Sequence, residues 1–201
     1  MSDKLFTIGY SGYPDVDEFI SELKKYGIQI LIDVRSNPYS AFFNNYNKDQ
    51  LSVKLKENGI YYRNFAKQFG ARQENITFYK NGRLDFEVFS ESGQFLEGVH
   101  TVEKSTAIIA FMCAEKNPSE CHRAILVAKA FSDRGHEIIH IIPNDITLTQ
   151  KDIDDELLEK YFPNRDQCTM FDEAFTEEEY IKKAYVLRND EIGFKLEDLR
   201  T

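Results

Sequence analysis

The chain has 201 residues, 42% hydrophobic and 29% charged, enough apolar material for one well-filled core and a small extension. No apolar run approaches the roughly 20 residues that cross a bilayer, and the opening Met1-Ser-Asp-Lys-Leu-Phe-Thr-Ile8 lacks the long apolar stretch of a signal peptide, so no membrane partner and a cytoplasmic location are expected. Three cysteines are an odd number and too few to staple a chain of this size, which leaves reduced thiols or metal ligands rather than a disulfide framework.

Lys4-Leu-Phe-Thr-Ile-Gly9 reads as a first strand, and residues 14–26 as a helix with Pro14 and acids in its first turn, ended by Gly27. Gln29 to Arg35 is a second strand with little polar alternation, as expected when helices cover both of its faces, and the three pieces form a βαβ opening. After a loop through Asn37-Pro38, the spacing of Leu51 and Leu55 predicts a helix over 48–58, and Gly59 precedes a short strand at 60–63. Residues 68–83 read as irregular and 84–104 as helical, with Ser92-Gly93 a candidate break. Thr106 to Met112 is a continuous apolar run suited to a buried parallel strand. A helix from Ser119 or Glu120 to Arg134-Gly135 and a strand at 137–142, closed by Pro143, continue the alternation. The expected class is therefore α/β: an open parallel sheet with flanking helices, built by residues 1–143. Residues 144–201 are expected to form an acidic helical extension, with helices at 150–160 and 177–185.

A net charge of −9 looks adverse to nucleic acid, but the charge is segregated: residues 143–201 carry 16 acidic and 8 basic side chains, and residues 1–142 carry 18 and 17. From Arg35 to Arg83 there are 9 basic against 3 acidic residues, interleaved with Tyr39, Phe42, Phe43, Tyr46, Tyr61 and Tyr62. Such a mixture suits phosphate contact and base stacking, and equally a solvated surface above ordinary core aromatics.

The chemistry concentrates in Cys113-Ala-Glu115 and Cys121-His122-Arg123. Cys113 falls at a strand's carboxyl end and Cys121 at a helix's amino end, where open α/β sheets bind ligands and where a thiolate or an anion is stabilised. Cys121, Cys113, His122 and Glu115 are the candidate catalytic residues. Arg35, at the end of the second strand, has the geometry to hold a phosphate or carboxylate, or to pair with Asp33, Glu115 or Glu120 in shaping the loop. Arg123, Arg72, Ser11, Tyr10, Asn37, Ser40 and Asp33 complete the candidate substrate-binding set. Two buried, inert thiols are the competing reading of the cysteines. A metal site would use Cys113, Cys121 and His122 with Cys168, Glu115 or water as fourth ligand; the spacing is not that of a zinc finger or ribbon, and no metal or cofactor is assigned.

The succession Thr7-Ile-Gly-Tyr-Ser11, Leu31-Ile-Asp-Val-Arg35-Ser-Asn-Pro38-Tyr-Ser40, Gly59-Ile-Tyr-Tyr62, Cys113-Ala-Glu115 and Cys121-His122-Arg123 resembles domain-of-unknown-function family 488 over about residues 4–142. The resemblance implies a cytoplasmic α/β domain and marks the same residues; it brings no reaction with it. Family members commonly have His where Tyr10 stands and Gly-Gly where Gly70-Ala71 stands. An Asp-Val-Arg strand followed by a strand ending in Cys also resembles, at the level of fold only, rhodanese sulfurtransferases. Gln167-Cys168-Thr169-Met170-Phe171 is similar to peptides that dock on bacterial sliding clamps through a Gln and a terminal hydrophobic-Phe pair, here Gln167, Met170 and Phe171; packing of that tail on the domain is the alternative. The leading expectation is a cysteine-dependent hydrolase or transferase acting on an anionic substrate, a nucleotide or nucleic-acid component. A non-catalytic nucleic-acid or partner-binding module and a sulfurtransferase are the alternatives.

Overall fold

The structure is a computed structural model that describes residues 4–165 and 175–200. In chain order its elements are β1 (Lys4–Gly9), α1 (Val16–Lys25), β2 (Ile30–Asp33), α2 (Lys48–Glu57), β3 (Tyr61–Asn64), α3 (Ala66–Phe69), β4 (Tyr79–Lys80), β5 (Arg83–Leu84), α4 (Phe86–Ser90), α5 (Gly93–Glu103) and β6 (Ile109–Cys113). There follow a π-helical segment (Arg123–Ala128) continued by α6 (Lys129–Ser132), then β7 (Glu137–Ile142), β8 (Ile146–Thr149), α7 (Gln150–Tyr161) and α8 (Glu177–Ile192). The main sheet runs β3-β2-β6-β1-β7-β8. Its first five strands are mutually parallel and β8 returns antiparallel along β7. The α/β class with a mostly parallel, helix-flanked sheet is thus observed.

Local chemistry sets the helices. Asp15 caps α1 by accepting from the Asp17 N–H at 2.8 Å, Val16, Phe19, Ile20 and Leu23 turn inward at helical spacing, and Gly27 leaves the helix with φ +66°. Ser92 accepts from the Phe95 N–H at 3.2 Å and starts α5, so the stretch expected to be helical over 84–104 is two helices meeting at Ser92. Thr149 with Asp152, and Thr176 with Glu179, form capping boxes at α7 and α8.

Helices α1 and α2 cover one face of the sheet, over Phe6, Ile8, Leu31, Ala110 and Met112. The other face packs Leu5, Ile32, Ile109 and Phe111 against α4, α5, the π-helical segment, α6, α7 and α8. Ala184, Ile192 and Phe194, from the carboxyl-terminal part of the chain, pack within or against this second core. A buried polar chain also crosses that layer. Thr7 Oγ1 lies 2.8 Å from His140 Nδ1, His140 Nε2 3.1 Å from Gln150 Oε1, and Gln150 Nε2 donates to the Tyr185 hydroxyl, which donates to Asp154 at 2.7 Å.

Three local features differ from the sequence expectations. The irregular stretch 68–83 contains the β4–β5 hairpin. Ile146–Thr149 pairs with β7 through a turn in which Asn144 and Asp145 both have positive φ, 69° and 62°, the backbone of a tight hairpin. The helix after the thiols begins at His122 rather than at Ser119 or Glu120: Pro118–Glu120 is a separate 3-10 turn, and Cys121 is extended at φ −131°, ψ 136°.

Candidate active site

From β1 the chain crosses through α1 to β2 and β3 on one side, whereas from β6 it crosses to β7 on the other, so the adjacent strands β1 and β6 form the switch point of the sheet. Their ends are in register, Gly9 beside Cys113. A side chain at position 9 would be impossible as the loop lies: a Cβ there would stand 1.8 Å from the Glu115 carbonyl oxygen. Glycine lets the segment after β6 fold across the end of β1, where the Ser11 N–H donates to the Ala114 carbonyl at 2.9 Å.

Arg123 holds this loop from beneath. Fully buried, it donates through Nη1 to the Glu115 carbonyl, through Nη2 to the Lys116 carbonyl at 3.1 Å and through Nε to Thr7 Oγ1 at 3.4 Å. The loop is also tied to the carboxyl-terminal helices: Ser119 Oγ donates to Glu156 on α7 at 2.5 Å, and Arg188 on α8 donates through Nε to the Ser119 carbonyl at 2.7 Å.

These constraints bring Cys113, Cys121 and His122 together, with one ligand-type atom of each within 4.8 Å of the others. His122 Nε2 lies 3.1 Å from the Val34 carbonyl oxygen, which only accepts, so Nε2 carries a proton and Nδ1 faces Cys113 Sγ at 3.9 Å. Cys121 Sγ lies 2.9 Å from Glu115 Oε2 and accepts the Arg123 backbone N–H at 3.4 Å. Burial opposes charge on Cys121, but the Cys113 thiol, the Arg123 charge and His122 outweigh it and hold its pKa well below the usual thiol range. Cys113 moves the opposite way, its pKa raised by the neighbouring Cys121 and by burial. Burial and the neighbouring thiolate also raise Glu115. At His122 burial is outweighed by Cys121 and Glu115, and its pKa rises. The shifts at Cys121 and Glu115 act in one sense, moving the proton between them toward the carboxyl.

A cavity of about 300 Å³ opens over this cluster, lined by Cys113, Glu115, Cys121 and His122 together with Tyr10, Arg35 and Asn37. Arg35 is paired with Asp33: Nε lies 2.9 Å from Oδ1 and Nη2 2.6 Å from Oδ2, and Nη2 also donates to the Tyr46 carbonyl at 2.8 Å. Its Nη1 is buried and finds no hydrogen-bond partner among the described residues. The guanidinium lies 5.0 Å from the centre of the Tyr10 ring, which stacks on Tyr46.

The remaining sequence candidates stand outside the lining. Asp33 is buried behind Arg35, and Tyr62 also donates to it at 2.6 Å. Ser11 is exposed. Ser40 Oγ accepts from the backbone of Phe42 and Phe43 at 3.3 Å. Arg72 is exposed, lies over the Phe194 ring and donates to the Asp198 carbonyl at 3.1 Å. Ser36, Ala71, Ile192 and Phe194 line the cavity without having been singled out in the sequence; Ile192 and Phe194 come from a distant segment that carries no chemical signal. A larger hollow of about 930 Å³ lies between the β4–β5 hairpin, α4 and α8. It holds none of the thiol cluster. In the basic segment Phe42 is 94% exposed and Tyr39 and Tyr61 are exposed, whereas Tyr46 is buried. Cys168 and the Gln167, Met170 and Phe171 peptide lie outside the described residues. Among the described residues no helix is long and apolar enough to cross a membrane.

Comparison with curated proteins and with solved structures finds no match. The family model described as Domain of unknown function DUF488 matches residues 15–130, a span that holds Cys113, Cys121, His122 and Arg35 and leaves out Tyr10, Ile192 and Phe194, which complete the cavity. With more than half of its length matched, the chain belongs to the DUF488 family.

Proposed function

We propose that this protein is a cysteine-dependent transferase or hydrolase acting on a small anionic substrate, in size and charge a nucleotide or a piece of one. The observation that carries this reading is the placement of Cys121 Sγ: against the Arg123 backbone N–H in the first turn of a helix, 2.9 Å from the Glu115 carboxyl and on the wall of the cavity at the sheet's switch point. In this reading Cys121 Sγ bonds to an electrophilic atom of the substrate. The leaving group departs with the electron pair of the broken bond and takes the shared proton from Glu115. Water or a second acceptor then releases the group from sulfur. Cys113 donates its S–H to the thiolate and His122 balances its charge. Arg35, oriented by Asp33, offers Nη1 to the substrate anion, with Tyr10 and Asn37 as neighbouring walls. Arg123 positions the loop, while Ser11, Ser40 and Arg72 take no part. The test is mass-spectrometric trapping of a covalent adduct after incubation with nucleotides, activated phosphate and carbonyl compounds, and thiosulfate. An adduct on Cys121, with turnover reduced about 10³-fold or more in Cys121→Ser, supports the reading; turnover that survives in Cys121→Ser ends it.

A second reading, a nucleic-acid-binding module with inert thiols, is favoured by one observation, the 94% exposure of Phe42 within the basic segment. It requires oligonucleotide affinity that falls steeply with salt and weakens in Phe42→Ala.

A further inference from the structure

We propose that Cys113, Cys121 and His122 form a binding site for a single thiophilic cation of the zinc class. Their donor atoms all lie within 4.8 Å of one another and are buried. In a tetrahedral zinc site, bonds of about 2.3 Å to sulfur and 2.0–2.1 Å to nitrogen put neighbouring donors about 3.5–3.8 Å apart. Cys113 Sγ and His122 Nδ1 already stand at 3.9 Å, a spacing better suited to two ligands of one ion than to a tight hydrogen bond. Closing the whole set requires movements of roughly 1 Å at most, within reach of small side-chain rotations.

The orientation of the imidazole is the second, independent observation. Metal-bound histidines generally donate their other ring nitrogen to a carboxylate or a backbone carbonyl, which fixes the ring and its tautomer. His122 does so, with Nε2 against the Val34 carbonyl at 3.1 Å and Nδ1 turned to the thiols. Charge also favours a soft dication: two thiolates and a neutral imidazole around Zn²⁺ sum to zero, which a buried site tolerates, whereas two bare thiolates side by side do not. The sulfur and nitrogen donors discriminate against Mg²⁺ and Ca²⁺, which take oxygen. All three residues line the cavity together with Glu115, whose Oε2 lies 2.9 Å from Cys121 Sγ, which fits a three-ligand, open site rather than a closed structural one.

The inference is independent of covalent chemistry at Cys121, and the two exclude each other in time: a thiolate bound to the ion is not free to attack. The experiment uses the full chain, reduced, stripped with a chelator and titrated with Zn²⁺ against a chromophoric competitor, with stoichiometry read by native mass spectrometry. The expected result is one Zn²⁺ per chain at sub-micromolar affinity, weakened about 100-fold or more in Cys113→Ser and His122→Ala and unchanged in Cys168→Ser. Co²⁺ substitution of the wild-type chain gives a readout free of any folding defect in the variants: sulfur-to-metal charge transfer and intense tetrahedral bands are expected. No Zn²⁺ uptake by fully reduced wild-type protein, a cobalt spectrum without thiolate bands, or binding that survives Cys113→Ser and disappears in Cys168→Ser would each overturn the proposal. Adduct trapping on Cys121 in the metal-free protein is read separately, so failure of the metal site and failure of the nucleophile are distinguishable.

Discussion

At the scale of single residues the account rests on opposed environments for two thiols. The neighbouring Cys113 thiol is the foremost influence holding the Cys121 pKa down, so Cys113→Ala is expected to leave the Cys121 thiolate less stabilised and to shift its alkylation profile to higher pH. A profile that stays put in Cys113→Ala contradicts the coupling. Gly9 is fixed by a different constraint, the Glu115 carbonyl 1.8 Å from where a Cβ would stand. Gly9→Ala must push the loop away and is expected to cost about 2 kcal/mol or more in urea denaturation. His140 makes a prediction about pH. Burial first, and the Arg123 charge second, lower its pKa to about 3, below the roughly 6.5 of an unfolded histidine. Between those values the unfolded chain binds the extra proton, so the stabilisation is complete above about pH 6.5 and is lost as pH falls toward 3, by up to roughly 5 kcal/mol. His140→Gln, which keeps a polar side chain in the Thr7–Gln150 chain, should flatten stability measured by denaturation across that range; an unchanged slope would count against the assignment. The sequence marked Cys113, Cys121, His122 and Glu115 because a strand end and a helix start can be read from apolar runs. It could not decide which arginine serves the cavity. Arg123 and Arg35 look equally available in one dimension, but the first is engaged by two carbonyls on the loop, while the second keeps one nitrogen without a partner among the described residues.

At the scale of elements, the carboxyl-terminal helices belong to the site. Arg188 on α8 supports the loop through the Ser119 carbonyl, and Ile192 and Phe194 wall the cavity. Arg188→Leu leaves that carbonyl without its donor and is expected to cost about 1–3 kcal/mol while slowing alkylation of Cys121; loss of stability with unaltered reactivity would limit α8 to a structural role. None of this was legible in the acidic composition of residues 143–201, because burial of Arg188 depends on packing between segments far apart in sequence. The π-helical turn at Arg123–Ala128 was equally hidden, since apolar spacing does not distinguish a slightly widened turn from an α-helix. Strand β8 had a local signal, Asn144-Asp145 before the alternating Ile146-Thr-Leu-Thr149, in the form of two residues tolerant of positive φ. The β1–α1–β2 opening was readable because each boundary carries its own cap or glycine.

At the scale of the whole molecule, the strand order places the chemistry. The alternation of strands and helices announced a parallel sheet, yet only the order β3-β2-β6-β1-β7-β8 makes β1 and β6 neighbours and opens a crevice above Cys113, and order depends on contacts that no local pattern encodes. The central claim is that this crevice holds an activated thiolate at Cys121. Its most direct test is alkylation of the reduced, chelator-treated protein by iodoacetamide across a pH series, with modified sites assigned by mass spectrometry. The account predicts that Cys121 is labelled first, with a midpoint well below the roughly 8.5 of a free thiol, while Cys113 reacts only at much higher pH. Labelling confined to Cys168, or a Cys121 midpoint at or above that of a free thiol, would contradict it.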